Sequence, residues 1–471
     1  MNSMKPPESG TIKTGQWSRE TSGGQSQHES RRTGRPHGKQ ASWTVETASA
    51  ADHFAIHRFL LSVFQRPSAS EFQAQLDDPF YEPSHRLLVR DGPEIVAHLR
   101  AIHREIRFDT TVLPVTYVGD VATLPQYRGC GCATALLQEA TRRMTQDGTV
   151  LGLLCTNRQA YYERRGWVVC GRHSYAVAAS RSIRSHLQTL AAEQISHIAT
   201  KLGQGKTRRY TIRLWRRVER AALIRLYEEV VARTHGSIVR TPAYWQWLLS
   251  RQGHERIYVA ITGRDKLTLD DQLAPIVGYA VTKGGRIVEL IGAAEHPEAI
   301  RQLLLRACGD AIEQDVHSIR LDAPPGHPMH QLFVHAGGEH VCQEADRSYV
   351  YMARLPQPRE LLKAIGPILY RRVREADFPS GCELGLMLEH GRIALRVQRS
   401  GVSLTSGRLG RSYLQCTAAQ LTQLLLGHLD LQAALEAGRI RASTRIAERA
   451  ALALFPQLDW WHPSWDFLPA H

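Results

Sequence analysis

From residue 43 onward, the spacing of apolar positions alternates between strand-like and helix-like stretches. WTVETA (43–48) reads as a strand, and DHFAIHRFLLSVF (52–64) carries apolar residues at helical spacing. HRLLVRDG, EIVAHLRAIHREIRFD and LPVTYVGDVATL follow as extended segments, separated by Asp-Gly and Pro signals suited to antiparallel turns. In QYRGCGCATALL (126–137) and its continuation, Cys132, Leu136, Leu137, Ala140 and Met144 share one helical face, so a helix begins near Gly131. TVLGLLCT (149–156) is then a buried strand, RQAYYERR a short helix, and WVVCGRHSYAVA a returning strand. The pattern predicts one α/β unit over residues 43–180.

A polar connector around 180–206 leads into a second cycle. Its strands are TRRYTIRLWR, ERIYVAI, APIVGYAVTK and RIVELIGA, and its helices VERAALIRLYEEVVART, AYWQWLLSR and PEAIRQLLLRACGDAIEQD. The order of elements echoes the first unit without repeating its residues, which predicts a second, related unit over 181–356. Residues 357–471 carry a hairpin-like ELGLMLEHGRIALRVQ, then a leucine-rich helix that Thr417 and Gln420 open in a capping-box pattern. A separate α+β domain therefore closes the chain.

Composition narrows this α/β picture. Residues 1–42 are poor in aliphatics and rich in Ser, Gly, Gln and Arg, which reads as a disordered basic tail. The hydrophobic share of 43% and charged share of 22% suit a soluble globular protein. No apolar run is long enough to span a bilayer, so the expected location is cytoplasmic. The net charge of +14 is spread along the chain, not gathered into a basic stripe interleaved with aromatics, and reads as a solvated surface without a nucleic-acid partner. The cysteines at 130, 132, 155, 170, 308, 342, 382 and 416 are scattered, which indicates reduced thiols and neither a metal site nor a disulfide scaffold.

The chemistry concentrates in QYRGCGCATALL. A strand ending at Val121-Ala122-Thr123, a glycine turn and an immediate helix make an anion site, because glycines let the backbone approach and free N–H groups face the ligand. Thr134 stands where a dinucleotide fingerprint needs its third glycine, and no Gly-Lys-Ser/Thr is present, which disfavours a dinucleotide or nucleoside triphosphate. Cys130 and Cys132 read as small residues of the turn.

VATLPQYRGCGCATALL resembles the acetyl-coenzyme A pyrophosphate loop of the GNAT N-acetyltransferases. With NRQAYYERRGW, TPAYWQWLL, VGYAV and CTAAQLTQLLLG, the chain after its tail is similar to the enhanced intracellular survival family. That resemblance implies two tandem GNAT-like domains, the second without a cofactor loop, and a sterol-carrier-protein-like C-terminal domain. ELIGA followed by AEHPEAIRQLLL, with no Arg-Gly-x-Gly, agrees with a second unit that binds no cofactor.

The resemblance further implies acetyl-coenzyme A as co-substrate, with pantetheine contacts at Val121, Ala122 and Thr123. Pyrophosphate contacts fall on Arg128, Gly129, Cys130, Gly131, Cys132, Ala133 and Thr134, and a further contact on Asn157 and Arg158. It places the proton donor at Tyr162 and the general base at the C-terminal carboxylate. Here that carboxylate belongs to His471, after PSWDFLPAH runs beyond the family's aromatic ending. Three possibilities stay open: the His471 carboxylate, its imidazole, or displacement of the tail by the extension. The acceptor is an amine: aminoglycoside-like, lysine or metabolite. A homo-oligomer, in this family often a hexamer, is implied as well. The competing function is a lipid-binding scaffold built on the C-terminal domain.

Overall fold

The partners of its strands divide the chain, among the described residues, into three sheets. The computed structural model describes residues 43–201, 209–263, 276–346, 349–378 and 381–467. The tail of 1–42 and His471 therefore lie outside the described residues. The first stretch runs β1 (Glu46–Thr47), α1 (His53–Phe64), α2 (Ala69–Leu76), β2 (Arg86–Asp91), β3 (Glu94–Phe108), β4 (Thr111–Thr123), α3 (Cys132–Gln146), β5 (Leu151–Thr156), α4 (Gln159–Glu163), β6 (Val168–Val169) and β7 (His173–Ala179). Helix α3 starts beside Gly131 and buries Cys132, Leu136, Leu137, Ala140 and Met144, the face read from the sequence. Helix α2 was not anticipated. Its Ser68–Glu71 capping box was legible, but it buries only Phe72, so its apolar periodicity is faint.

The second stretch runs α5 (Ser180–Lys201), β8 (Tyr210–Leu214), α6 (Arg220–Val231), β9 (His235–Ile238), α7 (Pro242–Ser250), β10 (Arg256–Thr262), β11 (Ile276–Lys283), β12 (Arg286–Gly292), α8 (Pro297–Glu313), β13 (Ser318–Asp322), α9 (Met329–His335), β14 (Glu339–Gln343), β15 (Ala345–Asp346) and β16 (Tyr349–Arg354). Most of the expected polar connector is thus helix α5. Its apolar stripe is narrow, with Ile183 and Leu187 buried and Leu190 half-buried in the cluster that also holds Leu303 and Leu304 of α8.

The order of the first sheet is β1-β2-β3-β4-β5-β16-β15, with β6 also on β16 and β9 on β3; that of the second is β14-β7-β13-β12-β11-β10-β8. The two units therefore exchange a strand. β7 leaves the first unit and lies between β13 and β14, antiparallel to both, while β16 returns from the second and pairs with β5 and β6. The segment WVVCGRHSYAVA is accordingly two strands in two sheets, divided by Gly171 at φ 92.

The C-terminal part comprises α10 (Pro358–Ala364), α11 (Gly366–Glu375), β17 (Glu383–Leu388), β18 (Gly391–Gln398), β19 (Gly401–Ser406), β20 (Tyr413–Gln415), α12 (Ala418–Leu425), α13 (Leu431–Glu436), β21 (Arg441–Ala442), α14 (Arg445–Leu454) and α15 (Ser464–Phe467). Its five-stranded sheet has the order β19-β18-β17-β20-β21. The Thr417 capping box forms as expected: Gln420 N–H donates to Thr417 Oγ1 at 3.0 Å, and Thr417 N–H to Gln420 Oε1 at 2.8 Å. One buried cluster runs from Leu226 and Tyr244 of the second stretch to Leu424 and Trp465, so the C-terminal part packs into the same core. Among the described residues, no helix is long and apolar enough to cross a membrane.

Candidate active site

The site begins where two parallel strands part. β4 pairs with β5 only through Val115–Tyr117 against Leu151–Leu153, so beyond Tyr117 one edge of β4 has no β5 partner. On its other edge the β3–β4 ladder shifts register between His98 and Arg100, where Asp120 adopts φ 50. This bulge is tied down by charge. Asp120 accepts from Arg100 Nε at 2.6 Å and sits 3.9 Å from the buried Arg86, and these cations keep its carboxyl below the usual range against the cost of burial.

His98 fixes the same bulge. Arg86 donates to His98 Nε2 at 3.2 Å, so the proton sits on Nδ1 and is donated to the Asp120 carbonyl at 2.8 Å. Burial, aided by Arg86, pushes the His98 imidazole down to about 3, which keeps it in this neutral form.

Beyond Thr123 the chain turns through Pro125–Tyr127 into the glycine loop. Gly129 (φ 82) and Gly131 (φ 91) occupy backbone conformations that side chains rarely adopt. A Cβ on Gly129 would meet nothing within 4 Å, and one on Gly131 only Trp43, at 4.0 Å. Their glycine identity answers to backbone angle, and the loop faces open space. Trp43 Nε1 donates to the Cys130 carbonyl at 2.7 Å and its ring meets Tyr127 edge-on, holding the loop from one side. The N–H groups of Gly131, Ala133 and Thr134 have no main-chain acceptor among the described residues, as expected at a helix start.

The residues expected to hold the cofactor thus gather in one place. Val121, Ala122 and Thr123 follow the bulge; Arg128 is exposed, its Nε 3.4 Å from the Thr123 carbonyl; and Gly129 to Thr134 open α3. Asn157 and Arg158 are exposed just past the end of β5, where Arg158 N–H donates to Thr156 Oγ1 at 3.0 Å. Cys132 is buried, which pushes its thiol up to about 11, and among the described residues no group of His, Cys, Asp or Glu is arranged to hold a metal.

Tyr162 lies on α4, buried against Trp167 and Tyr161 with ring centroids 6.2 and 5.2 Å away. Burial pushes its phenol up to about 12, so it stays protonated at neutral pH. It belongs to the apolar cluster of the first sheet and does not line the cleft described next.

That cleft, of roughly 740 Å³, opens where β4 and β5 separate. Val118, Gly119 and Asp120 line one side and Leu154 and Cys155 the other, with Tyr244, Trp247 and Arg251 of α7 and its C-terminal end, and His462, Asp466 and Phe467 from the chain end. Trp460 Nε1 donates to His462 Nε2 at 2.8 Å, which puts the remaining proton on Nδ1, donated to the Tyr117 hydroxyl at 3.2 Å. Burial pushes His462 down to about 3 and Tyr117 far up, so the imidazole stays neutral and the Tyr117 hydroxyl keeps its own proton to donate. No sequence signal singled out this pair, whose members lie far apart in the chain.

Asp466 is buried. Arg240 donates to it at 3.1 and 2.7 Å and to Glu289 of β12 at 2.9 and 2.5 Å. The guanidinium lies 4.1 Å from the Tyr227 ring centroid, and Tyr279 donates to Glu289 at 2.7 Å. Helix α15 is thereby pinned to the second sheet, and Phe467, its last residue, stands 5.3 Å from Tyr117.

Residues 44–170 match the acetyltransferase (GNAT) domain family, and residues 386–462 the sterol carrier protein domain family. The chain carries a GNAT acetyltransferase domain. The second sheet lies between these two matched stretches, so the chain has an acetyltransferase-like first unit, a second α/β unit and a sterol-carrier-like C-terminal part. Among solved structures, a probable N-acyltransferase from Enterococcus faecalis is 16% identical, covering 89% of this chain and 98% of its own, with a TM-score of 0.65. A GCN5-related N-acetyltransferase from Anabaena variabilis gives 16%, the same coverage and 0.66. Eis1 from Mycobacterium abscessus is 16% identical, covers 89% of this chain and 99% of its own, and gives 0.57. At these identities the likeness is one of fold. No curated protein sequence matches the chain.

Proposed function

We propose that the protein is an acetyl-coenzyme A dependent N-acetyltransferase acting on an amine by direct attack in a ternary complex. The observation that carries this reading is the parting of β4 and β5 beyond Tyr117, continuous with a glycine loop beside open space and with N–H groups at the start of α3 that have no main-chain acceptor among the described residues. Such a strand edge and helix start suit an extended pantetheine arm and its pyrophosphate.

When bound, the co-substrate supplies an activated acetyl thioester. Around it, Val121 to Thr123 offer main-chain groups to the arm and to the thioester carbonyl, and Arg128 to Thr134 hold the pyrophosphate. The amine nitrogen bonds to the acetyl carbon as the carbon–sulfur bond breaks. Tyr162, kept protonated by burial, is the proposed proton source for the leaving thiolate. The ammonium proton needs a base. Asp466 is occupied by Arg240 and His462 already accepts from Trp460, which supports a role for His471. Its approach is supported by Phe467, which lines the cleft just ahead of residues 468–471.

Release of free thiol from acetyl-coenzyme A, followed over a panel of amines, tests the reading. Amine-dependent release is expected, and none with any amine would contradict it. Deleting residues 468–471 is expected to lower turnover at least about tenfold, and unchanged or faster turnover would sink the base role of His471.

For the lipid-scaffold alternative, the apolar core of the C-terminal part offers no room. The cavity under α11 and α14, lined by Val373, Phe378, Leu395 and Leu454, is about 10 Å³, hardly room for one water molecule and none for an acyl chain.

A further inference from the structure

The cleft that would receive the acceptor has an unusual charge arrangement. Every carboxylate on its wall is already bound to an arginine: Glu71 to Arg66, Asp78 to Arg104, Asp120 to Arg100, and Asp466 to Arg240. A polycationic amine would find no free anion among them. One lining cation has no carboxylate partner among the described residues: Arg251, just past the end of α7.

Arg251 is held in place without being neutralised. One of its terminal nitrogens donates to the Trp465 carbonyl, and its guanidinium lies over the Trp247 ring, 4.5 Å from the centroid. Its Nε is buried with no hydrogen-bond partner. Burial pushes the group below its ordinary value, as expected for a cation removed from water without a counter-ion. The adjoining wall is aromatic, formed by Tyr117, Tyr244, Trp247, Tyr351 and Phe467.

We propose that the acceptor is an amine carrying both an aromatic or apolar body and a carboxylate, and that Arg251 binds that carboxylate. This rests on the acetyltransferase reading of the same cleft. A planar guanidinium pairs with a carboxylate through two parallel hydrogen bonds, here from its two terminal nitrogens, of which, among the described residues, only one already donates, to the Trp465 carbonyl. The aromatic wall covers the body, and the amine is left to point towards the parting of β4 and β5.

Matched amines with and without the acid test this. 4-(Aminomethyl)benzoate is expected to exceed benzylamine in kcat/KM by at least about tenfold, with spermidine below both. Arg251→Gln should bring the ratio of the first two close to one, chiefly by raising KM for the acid, and Arg251→Lys should restore part of it. Equal rates for the pair, a preference for spermidine, or a ratio unmoved by Arg251→Gln would overturn the proposal.

Calorimetric binding of 3-phenylpropionate, an aromatic acid without an amine, separates this claim from the reading beneath it. Binding lost in Arg251→Gln, in a protein that releases no thiol with any amine, would support Arg251 and refute acetyl transfer. Amine-dependent release without carboxylate preference would refute the Arg251 proposal alone.

Discussion

The first and second sheets each part a pair of parallel strands, but what fills the gap differs. In the first, β4 and β5 separate after Tyr117–Leu153 and the following glycines look onto open space. In the second, β12 pairs with β13 only at Arg286–Ile287, and a Cβ added to Gly292, beyond that pairing, would lie 2.1 Å from Ile300 of α8. There α8 packs directly on the strand, and Glu289 is tied through Arg240 to Asp466 of α15. One fold has thus been used once to leave a cleft and once to anchor the chain end that borders that cleft.

The largest expected effect breaks the anchor. Arg240→Met strands Glu289 and Asp466 as buried charges and should cost about 3–5 kcal/mol, read as a lowered urea midpoint. An unchanged midpoint would mean that the triad does not hold α15. Next comes the open loop. Gly131→Val forces a β-branched residue to φ 91 and should weaken coenzyme A binding by about 100-fold, while backbone strain lowers stability by no more than about 1–3 kcal/mol. Tyr162→Phe follows, with kcat lowered by roughly 10- to 100-fold and coenzyme A affinity unchanged. Equal losses in folding and binding would make Tyr162 a packing residue.

The smallest effect at neutral pH is electrostatic. His98 and His462 both have imidazoles lowered to about 3, so the unfolded chain binds protons that the folded chain refuses. Their contribution is complete above about pH 6.5 and is lost as the pH falls from there towards 3. His98→Asn should flatten that part of the urea-midpoint profile, and an unaltered slope would contradict the neutral assignment.

The sequence made the open cleft far more legible than its filled counterpart. Glycines ahead of an amphipathic helix are a local signal, and α3 begins where Cys132 to Met144 place it. Partner choice is not local. Alternation marked 167–178 as extended, but nothing in the period could say that its halves join different sheets, since both need the same half-buried face. Helix α5 was hidden by the narrowness of its apolar stripe. Arg240, Glu289 and Asp466 are each ordinary in sequence, and their meaning arises only when three distant segments meet in the core.

The claim that one half binds and the other anchors is tested most directly by the stoichiometry of coenzyme A binding to the full chain, measured by titration calorimetry. The expected result is one coenzyme A per chain, with that binding lost in Gly131→Val. Two per chain, or one that survives Gly131→Val at full affinity, would contradict it.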